Sequence, residues 1–218
     1  MKQKRTPITV IKRLPRYYRY LGDLLDKGII RISSKELSEQ MGITASQIRQ
    51  DLNNFGTFGQ QGYGYNVENL YKEIKKILGL DKTYKIIVIG AGHIGRALAS
   101  YSSFATRGFC IEAFFDIDEK IIGKSINGTP ILDFQNLPKY LKENTIDIAI
   151  LTVPNSSALE VAQILEQSPT LKGIWNFTGV DLKLPEHITV ENVRLTDSLM
   201  TLSYRFNEED IFKRVMKI

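Results

Sequence analysis

One stretch constrains this chain more than any other: Lys85-Ile86-Ile87-Val88-Ile89-Gly90-Ala91-Gly92-His93-Ile94-Gly95. A short apolar run bounded by glycine reads as a buried strand, and Gly90-x-Gly92-x-x-Gly95 reads as the turn that carries it into a helix. Gly90 permits the tight turn, Gly92 lets backbone approach a pyrophosphate, and Gly95 lets the helix pack closely on the sheet. Amides at the helix start then face an anion. Ala91, His93 and Ile94 fill the loop between the glycines and join them as candidate cofactor contacts. Any tight strand-to-helix connection could use the same glycines, so the reading depends on the residues downstream of the loop.

A second apolar run, residues 110–116, ends in Asp116, twenty-six residues after Gly90. The expected separation in a dinucleotide-binding unit is about twenty. Asp116 can accept hydrogen bonds from both adenosine ribose hydroxyls, and its charge repels a 2′-phosphate. Ile117 and Asp118 follow rather than an arginine, so NAD(H) is favoured over NADP(H).

Beyond this point strands and helices alternate. A helix is expected over 96–104, a minor strand over 129–132, a short helix over 137–142 and a strongly apolar strand over 146–154. A helix begins at Ser156 and Ser157, and a strand follows over 173–177. Such alternation gives a doubly wound parallel sheet of Rossmann type. Ligands bind at the carboxyl ends of its strands, which adds Thr152, Val153 and Pro154, and then Asn176 and Phe177, to the candidate cofactor set. A last edge strand over 188–190 leads to an amphipathic helix capped by Asp197 and running to 217, with Leu199, Leu202, Phe206, Ile211 and Phe212 among its apolar residues.

Charge separates the first third of the chain from the rest. Residues 1–80 hold 14 Lys and Arg against 7 Asp and Glu, whereas residues 81–218 hold 15 against 17, so the basic excess lies wholly in the first part. That asymmetry points to a polyanionic partner. Leu14, Tyr18, Leu21, Leu24 and Leu25 recur at helical spacing, with Pro15 expected in the first turn and Lys12, Arg13, Arg16 and Arg19 as basic decoration. Ser33-x-x-Glu36 is a capping box for a short helix ending at Gly42. Thr44-x-x-Gln47 is a second one, opening a helix over 45–55. Two short helices joined through a glycine match a helix-turn-helix. With Ala45, Ile48, Leu52 and Phe55 inward, the outer face carries Ser46, Gln47, Arg49, Gln50 and Asn53, residue types that bond base edges and phosphates. The glycine- and aromatic-rich run 55–65 reads as a hairpin wing whose tip, with Gln60, Gln61 and Tyr63, can reach a groove or the backbone of double-stranded DNA. Asn66 caps a helix over 67–78.

The expected domains are therefore a winged helix-turn-helix over 1–80, a linker over 81–84, a Rossmann domain over 85–196 and a terminal helix over 197–218. Cys110 is the single cysteine, and His93 and His187 are the two histidines. A disulfide within the chain is excluded, and a metal site is not expected. No apolar run approaches the roughly 20 residues of a membrane span, and the basic N-terminus leads into no signal-peptide core, so the expected location is the cytoplasm with no membrane partner. Two function classes remain: a transcription regulator governed by bound NADH or NAD+, and an NAD-dependent oxidoreductase with a basic accessory domain. Hydride transfer needs a proton donor beside the nicotinamide and a substrate pocket. Neither histidine is placed for that role and 134 residues leave no room for a substrate domain, which favours a sensor with no catalytic residue.

The whole chain resembles the Rex family of redox-sensing repressors. The matching stretches are Arg13-Leu14-Pro15-Arg16-Tyr17-Tyr18-Arg19-Tyr20-Leu21, residues 44–52, Phe55-Gly56 with Gly62-Tyr63-Gly64-Tyr65, the glycine loop, Phe115-Asp116-Ile117-Asp118, Thr152-Val153-Pro154 and Trp175-Asn176-Phe177. The resemblance implies a homodimer on a palindromic operator, bound when NAD+ is high and released when NADH rises. It also implies a C-terminal helix exchanged between subunits, and an inter-domain latch joining Arg19 and Tyr101 to an acidic residue. This chain has Arg194 at the matching position, which would repel Arg19, so Asp197 or another carboxylate is expected to serve instead.

Overall fold

The computed structural model describes residues 6–60 and 63–215. The chain divides into two compact units between Lys82 and Thr83.

The first unit runs α1 (Ile8–Asp26), β1 (Arg31–Ile32), α2 (Ser34–Met41), α3 (Ala45–Asn53), β2 (Gly59–Gln60), β3 (Gly64–Asn66) and α4 (Val67–Ile77). Its three strands form an antiparallel sheet in the order β1-β3-β2. Both parts of the first capping box are made: the Ser33 hydroxyl accepts from Glu36 N–H, and the Glu36 carboxylate accepts from Ser33 N–H at 2.7 Å. Helix α2 then stops at Gly42, whose φ of 63° is left-handed. At the start of α3 only half of the second box forms. Thr44 Oγ1 accepts from Gln47 N–H at 3.1 Å, while the Gln47 side chain turns away to Asp51.

Three expectations for this unit need correction. Helix α1 starts at Ile8, so Pro15 lies inside it rather than in its first turn. Pro15 is on the exposed side, where the carbonyl that loses its partner can be hydrated. The buried stripe is Val10, Leu14, Tyr17, Leu21 and Leu24, with Tyr17 inside and Tyr18 at the rim, stacked on Tyr71 at 4.6 Å. Helix α3 ends at Asn53, two residues before Phe55. The core joins Leu14, Tyr17, Leu21 and Leu24 of that stripe to Leu37, Met41, Ile48, Leu52, Leu70 and Ile74.

The second unit runs β4 (Tyr84–Ile89), α5 (His93–Ala99), β5 (Phe109–Asp116), β6 (Ser125–Ile126), β7 (Thr129–Asp133), α6 (Leu137–Glu143), β8 (Ile148–Leu151), α7 (Ala158–Glu166), β9 (Gly173–Asn176), β10 (Thr189–Asn192) and α8 (Leu195–Val215). The sheet order is β10-β9-β8-β4-β5-β7-β6, parallel except for the β6–β7 hairpin. Counting parallel strands alone, this is the doubly wound order 3-2-1-4-5-6, with its reversal between β4 and β8. Alternate residues of β4 feed two cores: Ile87 and Ile89 pack with Leu137, Leu141 and Leu165, while Ile86 and Val88 pack with Leu98, Phe114 and Ile150.

Here too boundaries shift. Tyr84 belongs to the first strand rather than to a linker, and the helix expected over 96–104 ends at Ala99. The β6–β7 hairpin turns through Asn127 and Gly128, at φ 50° and 83°. An Asn-Gly pair is the strongest short hairpin signal, so this turn was available to sequence reasoning, which passed over it. Helix α8 begins at Leu195, so Asp197 sits in its first turn and is not its cap. Its apolar residues do not form one stripe. Leu195, Leu199, Leu202 and Phe206 share a face by 3.6-residue periodicity, Met200 and Tyr204 lie roughly opposite, and all six are more than half exposed.

Candidate functional site

The glycine loop sits at the switch point of the sheet and is held from three sides. Gly90 has φ 98°, and a Cβ there would stand 2.8 Å from the Thr152 carbonyl oxygen. Gly95 is buried at the start of α5, where a Cβ would fall 2.2 Å from Gly90 O. These two glycines are therefore fixed by close approach of backbone to backbone. Gly92 differs: it has extended backbone, and nothing lies within 4 Å of its Cβ position. Its smallness leaves open room at the helix start, which fits a pyrophosphate held by backbone amides.

Side chains tie the loop to its neighbours. Thr152 Oγ1 donates to the Gly90 carbonyl at 2.8 Å, with Ile89 O at 3.0 Å. Arg96 Nε donates to Ala91 O at 2.7 Å. Asp116, at the end of β5, accepts from Ala91 N–H at 2.6 Å on one oxygen and from Ile117 and Asp118 N–H at 2.8 and 2.9 Å on the other. Three backbone donors thus aim its carboxylate at the loop, and a carboxylate retains lone pairs for ribose hydroxyls. Ile94, at 41%, and Ile117, at 79%, are large apolar side chains left exposed on α5 and after β5. His93 is the first residue of α5 and exposed, Val153 is half-buried and Pro154 exposed.

Asn176 plays a different part from the one expected. It is fully buried, donating to Val180 O and Asn192 Oδ1 and accepting from Thr178 N–H and Thr178 Oγ1 at 2.7–3.0 Å. With every hydrogen-bonding position occupied, it shapes the loop 177–181 rather than offering a contact of its own. Phe177 is half-buried in an aromatic row, edge-on to Trp175 at 4.7 Å, with Phe104 and Tyr101 continuing it.

In the first unit, α3 follows α2 across the glycine turn as a helix-turn-helix. Ser46, Arg49, Gln50 and Asn53 are exposed. Arg49 NH1 donates to Ser34 Oγ at 2.9 Å, which orients its guanidinium across the start of α2. Lys12 is exposed, and Arg16 lies over the Tyr20 ring at 5.9 Å. Arg13 is not a freely solvated cation: Nε and NH2 donate to the two oxygens of Asp51 at 2.6 and 2.7 Å. Burial works to raise the Asp51 pKa, but the bonds from Arg13, Gln47 and Tyr17 together outweigh it and hold the carboxyl below its ordinary range. Tyr17, buried beside this carboxylate, has its phenol pushed up. On the wing, Tyr63 is exposed under Arg31, whose guanidinium stacks at 5.6 Å. Gln60 ends β2, and Gln61 lies outside the described residues.

Residues 5–53 match the family described as "Putative DNA-binding protein N-terminus", and residues 81–180 match "CoA binding domain". The redox-sensing transcriptional repressor Rex of Thermoanaerobacter pseudethanolicus is 52% identical over 98% of this chain and 95% of its own length. The chain belongs to the Rex family of redox-sensing transcriptional repressors. Among solved structures, the repressor RSP in complex with β-NAD+ and operator DNA matches with a TM-score of 0.92, at 52% identity over 98% of both chains. RSP in complex with β-NADH matches with a TM-score of 0.88, at 50% identity over 97% of this chain and 99% of that one.

Within this Rex-family chain, Arg194 is committed locally. NH2 donates to Asp181 at 2.6 Å and NH1 to Thr178 O at 3.0 Å, so its charge is paired inside the second unit. Arg19 is exposed on α1, Tyr101 is exposed after α5, and Asp197 is exposed in the first turn of α8. Several residues escaped sequence reasoning. Asp51 could have been found, since it occupies an inward position of α3 between Ile48 and Leu52, where an unpaired carboxylate cannot stay. Arg31 and Arg96 had no periodic signal, because what defines them is a partner distant in sequence or a backbone carbonyl.

Proposed function

We propose that this chain is a transcriptional repressor that senses the NADH/NAD+ ratio. It binds a palindromic operator through α3 and the wing when NAD+ prevails, and leaves it when NADH binds the glycine loop. The observation that carries this reading is that a relative half-identical over the whole chain is known both with β-NAD+ and operator DNA and with β-NADH. The geometry supports it: Gly90 to Gly95, Asp116 and Ile117 make a nucleotide cradle, with Thr152, Val153 and Pro154 at the adjoining strand end. The DNA contacts come from Lys12, Arg16, Ser46, Gln47, Arg49, Gln50, Asn53 and the wing residues Gln60, Gln61 and Tyr63, while Arg13, expected among them, is committed to Asp51.

The working unit is a homodimer in the cytoplasm. Helix α8 is apolar on two opposite faces that its own chain leaves exposed, the pattern of a helix enclosed between two surfaces. Exchange of α8 between subunits would bury both faces, and two-fold symmetry would match two half-sites. Among the described residues no helix is long and apolar enough to cross a membrane. An inter-domain latch through Arg19 and Tyr101 would have to use a partner other than Arg194, with Asp197 as one carboxylate available.

NADH can release DNA only through a difference in its affinity for the two states, and moving the equilibrium from mostly bound to mostly free takes roughly 5 kcal/mol. The decisive experiment is a gel shift on a palindromic operator with NADH, NAD+ and NADPH titrated separately. Release by NADH at concentrations where NAD+ and NADPH leave the complex intact is expected. No operator binding, or equal release by all three, would overturn the reading.

A further inference from the structure

The buried carboxylate of Asp51 is saturated by donors from two helices. Besides Arg13 Nε and NH2, it accepts from the Tyr17 hydroxyl at 2.9 Å and from Gln47 Nε2 at 2.8 Å. Asp51 itself is fully buried, whereas Gln47, one turn earlier on α3, is half-buried at the rim.

A glutamine amide has a donor end and an acceptor end, and a freely rotating one can offer either to a base. An ionised carboxylate only accepts, so Asp51 admits Nε2 and rejects Oε1. One Gln47 N–H is thereby consumed, leaving Oε1 and the second N–H as an acceptor and donor in fixed order. That pair is what a glutamine uses to read an adenine edge in the major groove, accepting from N6 and donating to N7. The backbone of Gln47 is pinned as well, since its N–H bonds Thr44 Oγ1, and the third residue of a recognition helix is where base contacts concentrate.

We propose that Asp51 is a specificity-determining positioning residue: by orienting the Gln47 amide it selects which base pair each half-site accepts opposite the start of α3. This rests on the reading of the first unit as the operator-binding domain. Arg13 belongs to the same device, because its charge neutralises Asp51 and keeps the carboxylate ionised within the core.

The test uses full-length protein and duplexes selected by it from a random-sequence pool, with each base pair of the selected site then varied in turn. Gln47→Ala is expected to lower discrimination roughly tenfold at one base pair per half-site. Asp51→Asn should lose discrimination at that same base pair, while binding to unrelated duplex DNA holds or rises because the Arg13 charge is no longer neutralised. Arg13→Gln, which removes the charge that keeps Asp51 ionised, should lower thermal stability and weaken discrimination at that same base pair rather than evenly across the site. An even loss across all positions in Asp51→Asn would reduce Asp51 to a fold-holding role and overturn the proposal. Unchanged discrimination in Gln47→Ala would overturn it even if Asp51→Asn failed to fold. Failure of the wild type to select any sequence would refute the operator-binding reading instead, which keeps the two outcomes apart.

Discussion

Two glycines of the same loop should fail in different ways when given a side chain. In Gly95→Ala the new Cβ would fall 2.2 Å from Gly90 O, against the 3.0 Å below which such contacts essentially never occur, so at least about 0.8 Å must be recovered by moving backbone. The clashing oxygen also accepts the Thr152 hydroxyl bond that closes the switch point. Overpacking of this kind costs about 1–3 kcal/mol, which lowers the melting temperature by roughly 2–4 °C per kcal/mol in a chain of this size. In Gly92→Val the position is open and its backbone extended, so the ligand-free protein should lose less than Gly95→Ala does, its cost limited to the roughly 1 kcal/mol by which glycine is preferred over valine as a helix N-cap. The valine instead occupies the room left for a pyrophosphate, and NADH affinity should fall at least about tenfold, or 1.4 kcal/mol. Thermal unfolding without ligand, paired with calorimetric titration of NADH, separates the two. Wild-type NADH affinity in Gly92→Val, or an equal loss of ligand-free stability in both variants, would refute the assignment of the open position to the nucleotide.

Three further outcomes are expected. Asp116→Ala removes the acceptor of three backbone N–H groups and the charge proposed to face the ribose, so NADH should lose most of its advantage over NADPH in releasing DNA; titrating both against a preformed complex measures this. Arg49→Ala should weaken operator binding and leave NADH affinity near wild type, and operator binding of the wild type should fall steeply with salt as phosphate contacts release counterions; a flat salt response would exclude a phosphate-dominated interface. Because the folded-state pKa of Asp51 is depressed, its contribution to stability is present above the unfolded value near 4 and is lost as pH falls through the lower folded value. Asp51→Asn should therefore flatten the acid side of the stability profile, which unfolding measurements from about pH 6 to pH 2 would show.

The DNA-facing elements are largely legible in the order of residues alone. The Ser33-x-x-Glu36 box, the Thr44 cap, Asn66 as the cap of α4 and the left-handed Gly42 are local signals, and each appears where its chemistry requires. Helix ends are less legible, because propensity gives way to packing. Pro15 is tolerated inside α1 since Val10, Leu14 and Tyr17 bury that helix on both sides of it, and α5 stops at Ala99 although the residues beyond it could have continued a helix.

The two-part architecture is written in one dimension: a strand that breaks at Gly90 into Gly-x-Gly-x-x-Gly, a carboxylate at Asp116, and a basic first third with capped short helices. These features act through spacing of a few residues, or through charge summed over a segment, and neither needs a folded chain to be visible. The roles of the polar side chains, by contrast, were settled by folding. Packing saturated the buried side chain of Asn176 with partners of its own unit, tied Arg194 to Asp181, and set Asp51 beneath Arg13 and Gln47. In each case the partner is chosen by three-dimensional proximity and by the cost of leaving a buried polar group unpaired. The glycine loop shows both levels at once: its spacing identifies the turn, while the 2.2 Å at Gly95 and the open space at Gly92 separate a glycine that the fold requires from one that it leaves unconstrained.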